Sequence, residues 1–541
     1  MNVDRPGFAS LSPTPPIRFS QVRQETGQRE LLFSHLCADG VGYPADLVPH
    51  RSCLKVMRAR DLDSQRNRAT TALCIAIVCS IFVAHAQAGL ASTLRPIRGN
   101  AQLASGSSAT RFIVRDSQGL SGINSTCLLL GCQVLESIGD PNGQVFVVQT
   151  SGLIDSTLFL TQLLAASGVT NAEPDQTAKS SPAAMGDWPW YIYDRTPVSY
   201  FGAMVWEGYL LQTPNQIVRT SETQSQLGAT GAGSMVALID TGIDPSNAIL
   251  ASHLVYGYDF TRNTDGGSEM GDITQSTAGV VDGSTQPAVL NQSTAGVIDQ
   301  STAGVVDQQQ YSAFGHGTMT AGIVHLVAPN AQLMPLKAFN ADGTGYESDV
   351  LRAIYYAVNH QAKVINMSFE FATPSLELAN AINYATSKKV ICVGSAGNDS
   401  SVTLVYPAGL PNVIDVASTS NTNSPSSFSN YGTPPVWLSA PGEAVMTTYP
   451  FGTYAIGWGT SFSAPFVSGT VALMASATPG NSDLLNQATA AQALSHAHPI
   501  PQTQYGFGVL DTYQAVQAWQ NWLSVHVTVS CSMLSCQASI H

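Results

Sequence analysis

Three short stretches carry side chains that, taken together, suit nucleophilic catalysis. The first is Gly459-Thr460-Ser461-Phe462-Ser463-Ala464-Pro465, which runs directly into an apolar, helix-length segment at 466–474. A helix start offers unpaired backbone N–H groups and a favourable field for negative charge. A serine there can have both its attack and the resulting oxyanion supported, although Thr460 or Ser461 can equally be an ordinary helix cap. A serine hydroxyl is a poor nucleophile unless a base takes its proton and an acid orients that base. Two further stretches supply those groups. Val236-Ala237-Leu238-Ile239-Asp240-Thr241-Gly242 reads as a buried parallel strand whose carboxyl end opens into a crevice, where open α/β sheets bind ligands. Gly315-His316-Gly317-Thr318 precedes a second apolar helix, and of the eleven histidines only His316 stands between glycines at a helix start.

The order Asp, His, Ser is one of several in which such a triad occurs. The stretch from about Gly231 to Asp511 resembles the catalytic domain of the subtilisin-like serine peptidases (subtilases). The resemblance rests on Asp240-Thr241-Gly242, Gly315-His316-Gly317-Thr318, Ser395-Ala396-Gly397-Asn398 and the Ser461 segment, in the family's order. It implies an α/β fold class: a subtilisin-like three-layer domain with a mostly parallel central sheet, preceded by a small α+β propeptide domain. The activity implied is that of a secreted serine endopeptidase, acting on protein or peptide substrates and made as a self-processing zymogen. Ser461 would then be the nucleophile, His316 the general base and Asp240 its orienting partner, with the Asn398 amide and the Ser461 N–H binding the oxyanion. By the same resemblance Gly343, Thr344 and Gly345 pair with substrate backbone, a close approach that glycines permit. Ser368, Phe369, Glu370, Ala396 and Gly397 are assigned to the pocket beside the scissile bond.

The sequence departs from the family in three places. Phe369-Glu370-Phe371 stands where many relatives have an apolar residue and a glycine, so a carboxylate there can favour a Lys or Arg side chain, or simply face solvent. Ile249 occupies a position where many relatives place a calcium-binding aspartate, and an aliphatic side chain cannot ligate a hard cation. No metal or other cofactor is therefore assigned. Phe462 follows the serine where relatives often carry methionine.

The whole chain sets limits on function. It has 541 residues, 44% hydrophobic and 11% charged, with a formal net charge of −13. That length implies several domains, and the charge argues against nucleic acid, whose phosphates need clustered Lys and Arg. The nine cysteines include no set at zinc spacing with histidines. Cys127/Cys132 and Cys531/Cys536 are close enough for disulfides in an oxidising compartment, with mere proximity as the alternative. Cys392 reads as a small buried hydrophobe.

In chain order, 1–56 is a Pro-, Arg- and Ser-rich upstream region that need not be translated if Met57 is the start. Residues 57–88 have the basic, apolar and small-residue layout of a cleaved secretory signal peptide, with an uncleaved anchor as the alternative, and are the one segment expected to meet a membrane. Residues 89–185 are a propeptide domain and linker, expected to act as an intramolecular inhibitor. Strands are expected near 111–114 and 144–148, a helix at 158–166 and extended chain at 168–175; the alternative is an accessory domain that stays attached. The aromatic stretch 186–225 is expected to pack as an N-terminal arm, a carbohydrate-binding strip being the other reading. Within the catalytic domain, 226–522, lies an insertion at 275–307. It repeats Gln-Ser-Thr-Ala-Gly-Val at 275, 292 and 300 with a closing Asp, and reads as a surface insertion rather than a calcium repeat. The tail 523–541 has no functional reading. The competing functions are a non-catalytic peptide-binding protein on this scaffold, or a protease dedicated to one partner.

Overall fold

The computed structural model describes residues 110–150, 154–178, 189–273, 311–432, 436–477, 484–501, 503–532 and 535–540, with backbone alone for 289–290, 295–297, 503 and beyond 524. The expected upstream region and signal peptide, most of the repeat insertion, the expected linker at 179–184 and the start of the aromatic arm lie outside the described residues. The strand register places Cys531 opposite Cys536, but their side chains also lie outside.

The large domain is built on an eight-stranded sheet. Its strands, in spatial order, are Thr264–Asp265, Tyr258–Asp259, Gln332–Lys337, Met235–Asp240, Val364–Met367, Ile391–Ser395, Val413–Thr419 and Leu438–Pro441. All pairings are parallel except that of the first two. Both faces are covered, which explains the continuous apolar runs. In the Asp240 strand, Val236 and Leu238 join a core that includes Val324 and Val471, whereas Ala237 and Ile239 join one that includes Ile354 and Ile382. Helices His316–Val327 and Thr460–Ser476 thus lie on one face, and Glu347–Asn359 and Leu376–Ser387 on the other. Met235–Asp240 sits between the strands that follow it to either side, so the winding reverses there. Such a switch point opens a crevice beyond the carboxyl ends of the strands. Asp240 ends its strand at that crevice, and Ser368 and Asn398 lie just past the ends of theirs.

The small unit has an antiparallel four-stranded sheet in the order Cys132–Ser137, Val145–Thr150, Arg111–Asp116, Val169–Pro174, with helices Gly119–Leu130 and Ser156–Ala165. The α+β reading agrees with this, though helix Gly119–Leu130 and strand Cys132–Ser137 are additions to the elements expected from sequence. Strand alternation explains both faces. Phe112 and Val114 pack with Ile123 and Phe159 beneath the unit's own helices, while Ile113, Val145 and Val147 face the catalytic domain's Val350 and Ile354 side. Each such fully buried apolar side chain stabilises by about 1.5–3 kcal/mol. Cys127 and Cys132 form a disulfide, tying the helix end to the next strand.

The aromatic arm packs onto the catalytic domain. Tyr191, Tyr200 and Tyr209 donate from their hydroxyls to the carbonyls of Ala444, Leu326 and Gly322, and Trp206 stacks on Tyr454 at 4.5 Å. Of the insertion, Val289–Leu290 and Ala295–Val297 form short strands, and the latter pairs with Thr453–Gly457. No helix among the described residues is long and apolar enough to cross a membrane.

Candidate active site

Asp240 and His316 meet where the central strand ends and the His316–Val327 helix begins. His316 Nδ1 donates to Asp240 Oδ1 at 2.7 Å, and both side chains are buried. The carboxylate is held from two more sides, by the Thr241 N–H at 2.7 Å and the Thr320 hydroxyl at 3.1 Å. With Nδ1 engaged, Nε2 is the ring nitrogen left to exchange a proton. Gly315 makes the approach possible. Its φ is +90°, and a Cβ there would fall 2.2 Å from the Tyr449 ring.

Ser461 occupies the first turn of Thr460–Ser476, and the ring of Phe462 beside it lies 5.8 Å from the His316 ring. The start of this helix therefore abuts the histidine. Ser461 Oγ is 3.4 Å from the carbonyl of Ser368, whose own hydroxyl donates to the Ser461 carbonyl at 2.9 Å. A buried chain continues through Asn366, which donates to Ser368 Oγ at 3.0 Å and accepts from Ser468 at 2.8 Å. Gly459, at the cap position of this helix, has no side chain to cap it. Thr460 instead donates from its N–H (2.9 Å) and its hydroxyl (3.0 Å) to Asn398 Oδ1, while its Oγ1 accepts from Gly397 N–H. That fixes the orientation of the Asn398 amide and makes Nδ2 its donor end. Thr460 is thus a site residue that sequence pattern presents only as a cap.

The other assigned residues divide into two groups. Gly343, Thr344 and Gly345 form an edge whose Gly345–Tyr346 strand pairs antiparallel with the chain's own Thr177–Ala178. Ala396 is buried, and Glu370 reaches Gly397: a Cβ at that glycine (φ +97°) would lie 2.8 Å from Glu370 Oε2 and 2.5 Å from Asn430 Nδ2. Glu370 therefore lies against the segment that carries Asn398. Phe369, by contrast, turns its ring into the core against Phe339 at 4.8 Å. Ile249 is also buried in the core, so its position does not fit a calcium ligand. Among the described residues no three His, Cys, Asp or Glu side chains are grouped to hold a metal ion.

Sequence reading misses Glu269 and Lys337, which are both fully buried behind the Asp240 turn. Lys337 Nζ donates to the Thr241 carbonyl at 2.9 Å and to Asp272 at 2.8 Å. Burial pushes the Glu269 carboxyl up to about 8, with nearby Asp240 adding to the rise. Nothing in the local pattern around Glu269 marks it, because its partners are brought to it by the fold.

Comparison with known proteins bears on this geometry. Residues 231–508 match the model of the subtilase family. The chain is 31% identical over 258 residues to thermitase of Thermoactinomyces vulgaris, covering 46% of this chain and 77% of that protein. It is 31% identical over 287 residues to a thermophilic serine proteinase of Bacillus sp. (strain AK1), covering 53% of this chain but only 62% of the relative. Among solved structures it resembles fervidolysin from Fervidobacterium pennivorans, described as a keratinolytic enzyme related to subtilisin. That match has TM-score 0.56 and 21% identity, covering 76% of this chain and 61% of that one.

Proposed function

The chain belongs to the subtilase family, and on that premise we propose that it is a secreted serine endopeptidase made as a self-processing zymogen. The observation that carries this reading is the 2.7 Å Asp240–His316 contact at the mouth of the crevice, with the Ser461 turn packed against the same imidazole. Ser461 Oγ attacks the peptide carbonyl carbon as His316 Nε2 takes its proton. The oxyanion is held by the Asn398 amide and the Ser461 N–H. Loss of one such donor typically raises the barrier by about 3–4 kcal/mol, a range measured in another member of this family. The tetrahedral intermediate collapses as His316 returns the proton to the leaving amine, giving an acyl-enzyme. Water then attacks the ester, activated by the same base, and releases the acid and free Ser461. Asp240 orients the imidazole and balances its positive charge.

The small unit serves as inhibitor in this reading. Thr177–Ala178, its last described residues, lie along the Gly345–Tyr346 edge as a bound peptide would, and the 179–184 linker follows directly. The Glu370 carboxylate beside Gly397 favours a Lys or Arg side chain before the scissile bond. A kcat/KM for Arg-terminated peptides no higher than for Phe-terminated ones would dismiss that preference.

The main test treats natively produced protein with a fluorophosphonate probe alongside Ser461→Ala. The unmutated protein should label and separate from its small unit, whereas Ser461→Ala should stay unlabelled and uncut. Its turnover should fall by on the order of 10⁶, a figure measured for a relative. Equal processing and hydrolysis by both proteins would overturn Ser461 as the nucleophile, and an unmutated protein that neither labels nor cuts would overturn the reading in favour of a binding protein on a peptidase scaffold.

A further inference from the structure

Behind the Asp240–His316 pair lies a second carboxylate that the mechanism above does not use. Glu269 immediately precedes the short turn Met270–Asp272 and is fully buried. Its Oε2 accepts from the Gly315 N–H at 2.8 Å and from the Thr241 hydroxyl at 3.1 Å, and its Oε1 accepts from the Thr318 hydroxyl. Thr241 is the residue after Asp240, Gly315 the residue before His316, and Thr318 lies two residues past it. One side chain thus grips the chain on both sides of the histidine and at the exit from the aspartate. Thr241 Oγ1 also accepts from the Gly317 N–H at 3.0 Å, which closes a ring of bonds around the His316 turn.

None of these bonds belongs to a helix or sheet ladder, so no regular element substitutes for them. The Gly315 N–H is an interior donor produced by a left-handed residue, and a buried donor without an acceptor costs about 1–3 kcal/mol. The carboxylate removes that cost while fixing where the turn sits.

We propose that Glu269 is a positioning residue of this active site, setting the distance and orientation between Asp240 and His316 through Thr241 and Gly315. The proposal rests on the serine peptidase reading for its effect on rate, but not for its effect on geometry. Glu269 bonds to backbone and hydroxyl groups that flank the reacting side chains, so its loss should act on kcat and leave substrate binding nearly intact.

The charged and titratable groups around it come from every neighbouring segment: Asp240 from the central strand, Lys337 from the adjacent strand with its partner Asp272, Tyr449, and His316. Asp244 acts through its N–H on Thr318 Oγ1 at 2.8 Å. Burial raises the Glu269 carboxyl, Asp240 adds to the rise, and Thr318, Gly315 and Lys337 draw it back. Glu269 therefore gains its negative charge behind the catalytic pair only as pH rises toward about 8, so the rate of Glu269→Gln should depart from the parent's more on that side of neutrality than on the acid side.

The test compares the full-length protein with Glu269→Gln and Glu269→Asp. Expected in Glu269→Gln are a kcat lowered by up to about 10²-fold, the scale of an ångström-sized misplacement, and a KM within about twofold of the parent. The gap between parent and Glu269→Gln should widen as pH rises toward about 8, and Glu269→Asp should recover part of the loss. Independently of turnover, the downfield proton resonance of His316 Nδ1–H, identified by its absence in His316→Ala, should shift or broaden in Glu269→Gln. Parent values of kcat, pH profile and resonance in Glu269→Gln would overturn the proposal. So would a loss of rate that merely tracks the unfolded fraction in thermal unfolding. If Glu269→Gln does not fold, Thr318→Val carries the same readouts, and the same results support or overturn the proposal. A parent chain that binds peptides without cutting them refutes the peptidase reading alone, and the resonance then decides this proposal.

Discussion

Two buried glutamates show how differently one side chain can be used in this molecule. Glu269 lies inside the catalytic domain, and Glu347 lies where the small unit sits on that domain. Burial pushes both carboxyls up to about 8. Around Glu269 three donors converge on the two oxygens. Around Glu347 no described donor completes a hydrogen bond to either oxygen; Ser375 and Gln176 only approach, while Glu173 and Asp175 add like charge. Glu347 opens helix Glu347–Asn359, and its N–H donates to Gln176 of the small unit at 2.9 Å. The unit that covers it therefore also brings the neighbouring acids. A buried carboxylate met by donors holds a structure together. One without them makes the contact that buries it sensitive to protons.

The other bonds across this boundary are ionic and well formed. Arg115 grips Glu377 with two bonds, of 3.0 and 2.6 Å. Glu173 accepts from the N–H groups of Leu376 and Glu377, meeting the positive start of that helix. Asp175, paired with Arg111 of its own unit at 2.9 Å, accepts across the boundary from the Ser348 N–H and hydroxyl at 3.0 and 2.8 Å. The largest effect on the interface is expected there. Asp175→Asn should weaken docking by about 1.5–3 kcal/mol, the range for bonds to charged groups. The measurement is co-elution of the two pieces of the Ser461→Ala chain after an added protease cuts the 179–184 linker. Undiminished co-elution would show that the Asp175 bonds contribute nothing to docking.

A smaller, graded effect is expected from pH. Glu347 and Asp349 have ordinary values of 4.5 and 3.8 and are raised by burial to about 8 and about 7, so the docked form holds more protons than the separated pieces between those limits. Docking should therefore be firmest at the acid end, weaken as pH rises through this window, and level off above about 8. The slope is at most about tenfold in affinity per pH unit for each proton. Glu347→Gln should flatten the dependence while leaving the acid-end affinity near that of the parent. A dependence of opposite sign, or one unchanged by Glu347→Gln, would break the contrast between the two glutamates.

The parts legible in the sequence are those in which chemistry is local. Asp240, His316, Ser461 and Asn398 each stand in a short run of glycines and apolar residues that announces a strand end or helix start. Glu269 shows no such sign, since its three partners lie before and after the repeat insertion and only the fold gathers them. Helix Gly119–Leu130 is hidden for a different reason. Its sequence, with two glycines, two serines, an asparagine and a threonine, has weak intrinsic helix preference, and packing of Ile123 and Cys127 overrides that. The role of Thr460 is obscured because a hydroxyl at a helix start ordinarily reads as a cap, whereas here it joins two loops.

The short strand Ala295–Val297 has a consequence for how this family member can vary. It pairs with Thr453–Gly457, the strand that leads to Gly459 and so to the nucleophile's turn. The paired tripeptide, Ala295-Gly296-Val297, occurs again as Ala278-Gly279-Val280 and Ala303-Gly304-Val305. Gain or loss of one tandem copy during replication would lengthen or shorten the loop yet still supply the same three residues for pairing. The insertion can thus change its length from one descendant to the next without rewriting the framework it pairs with.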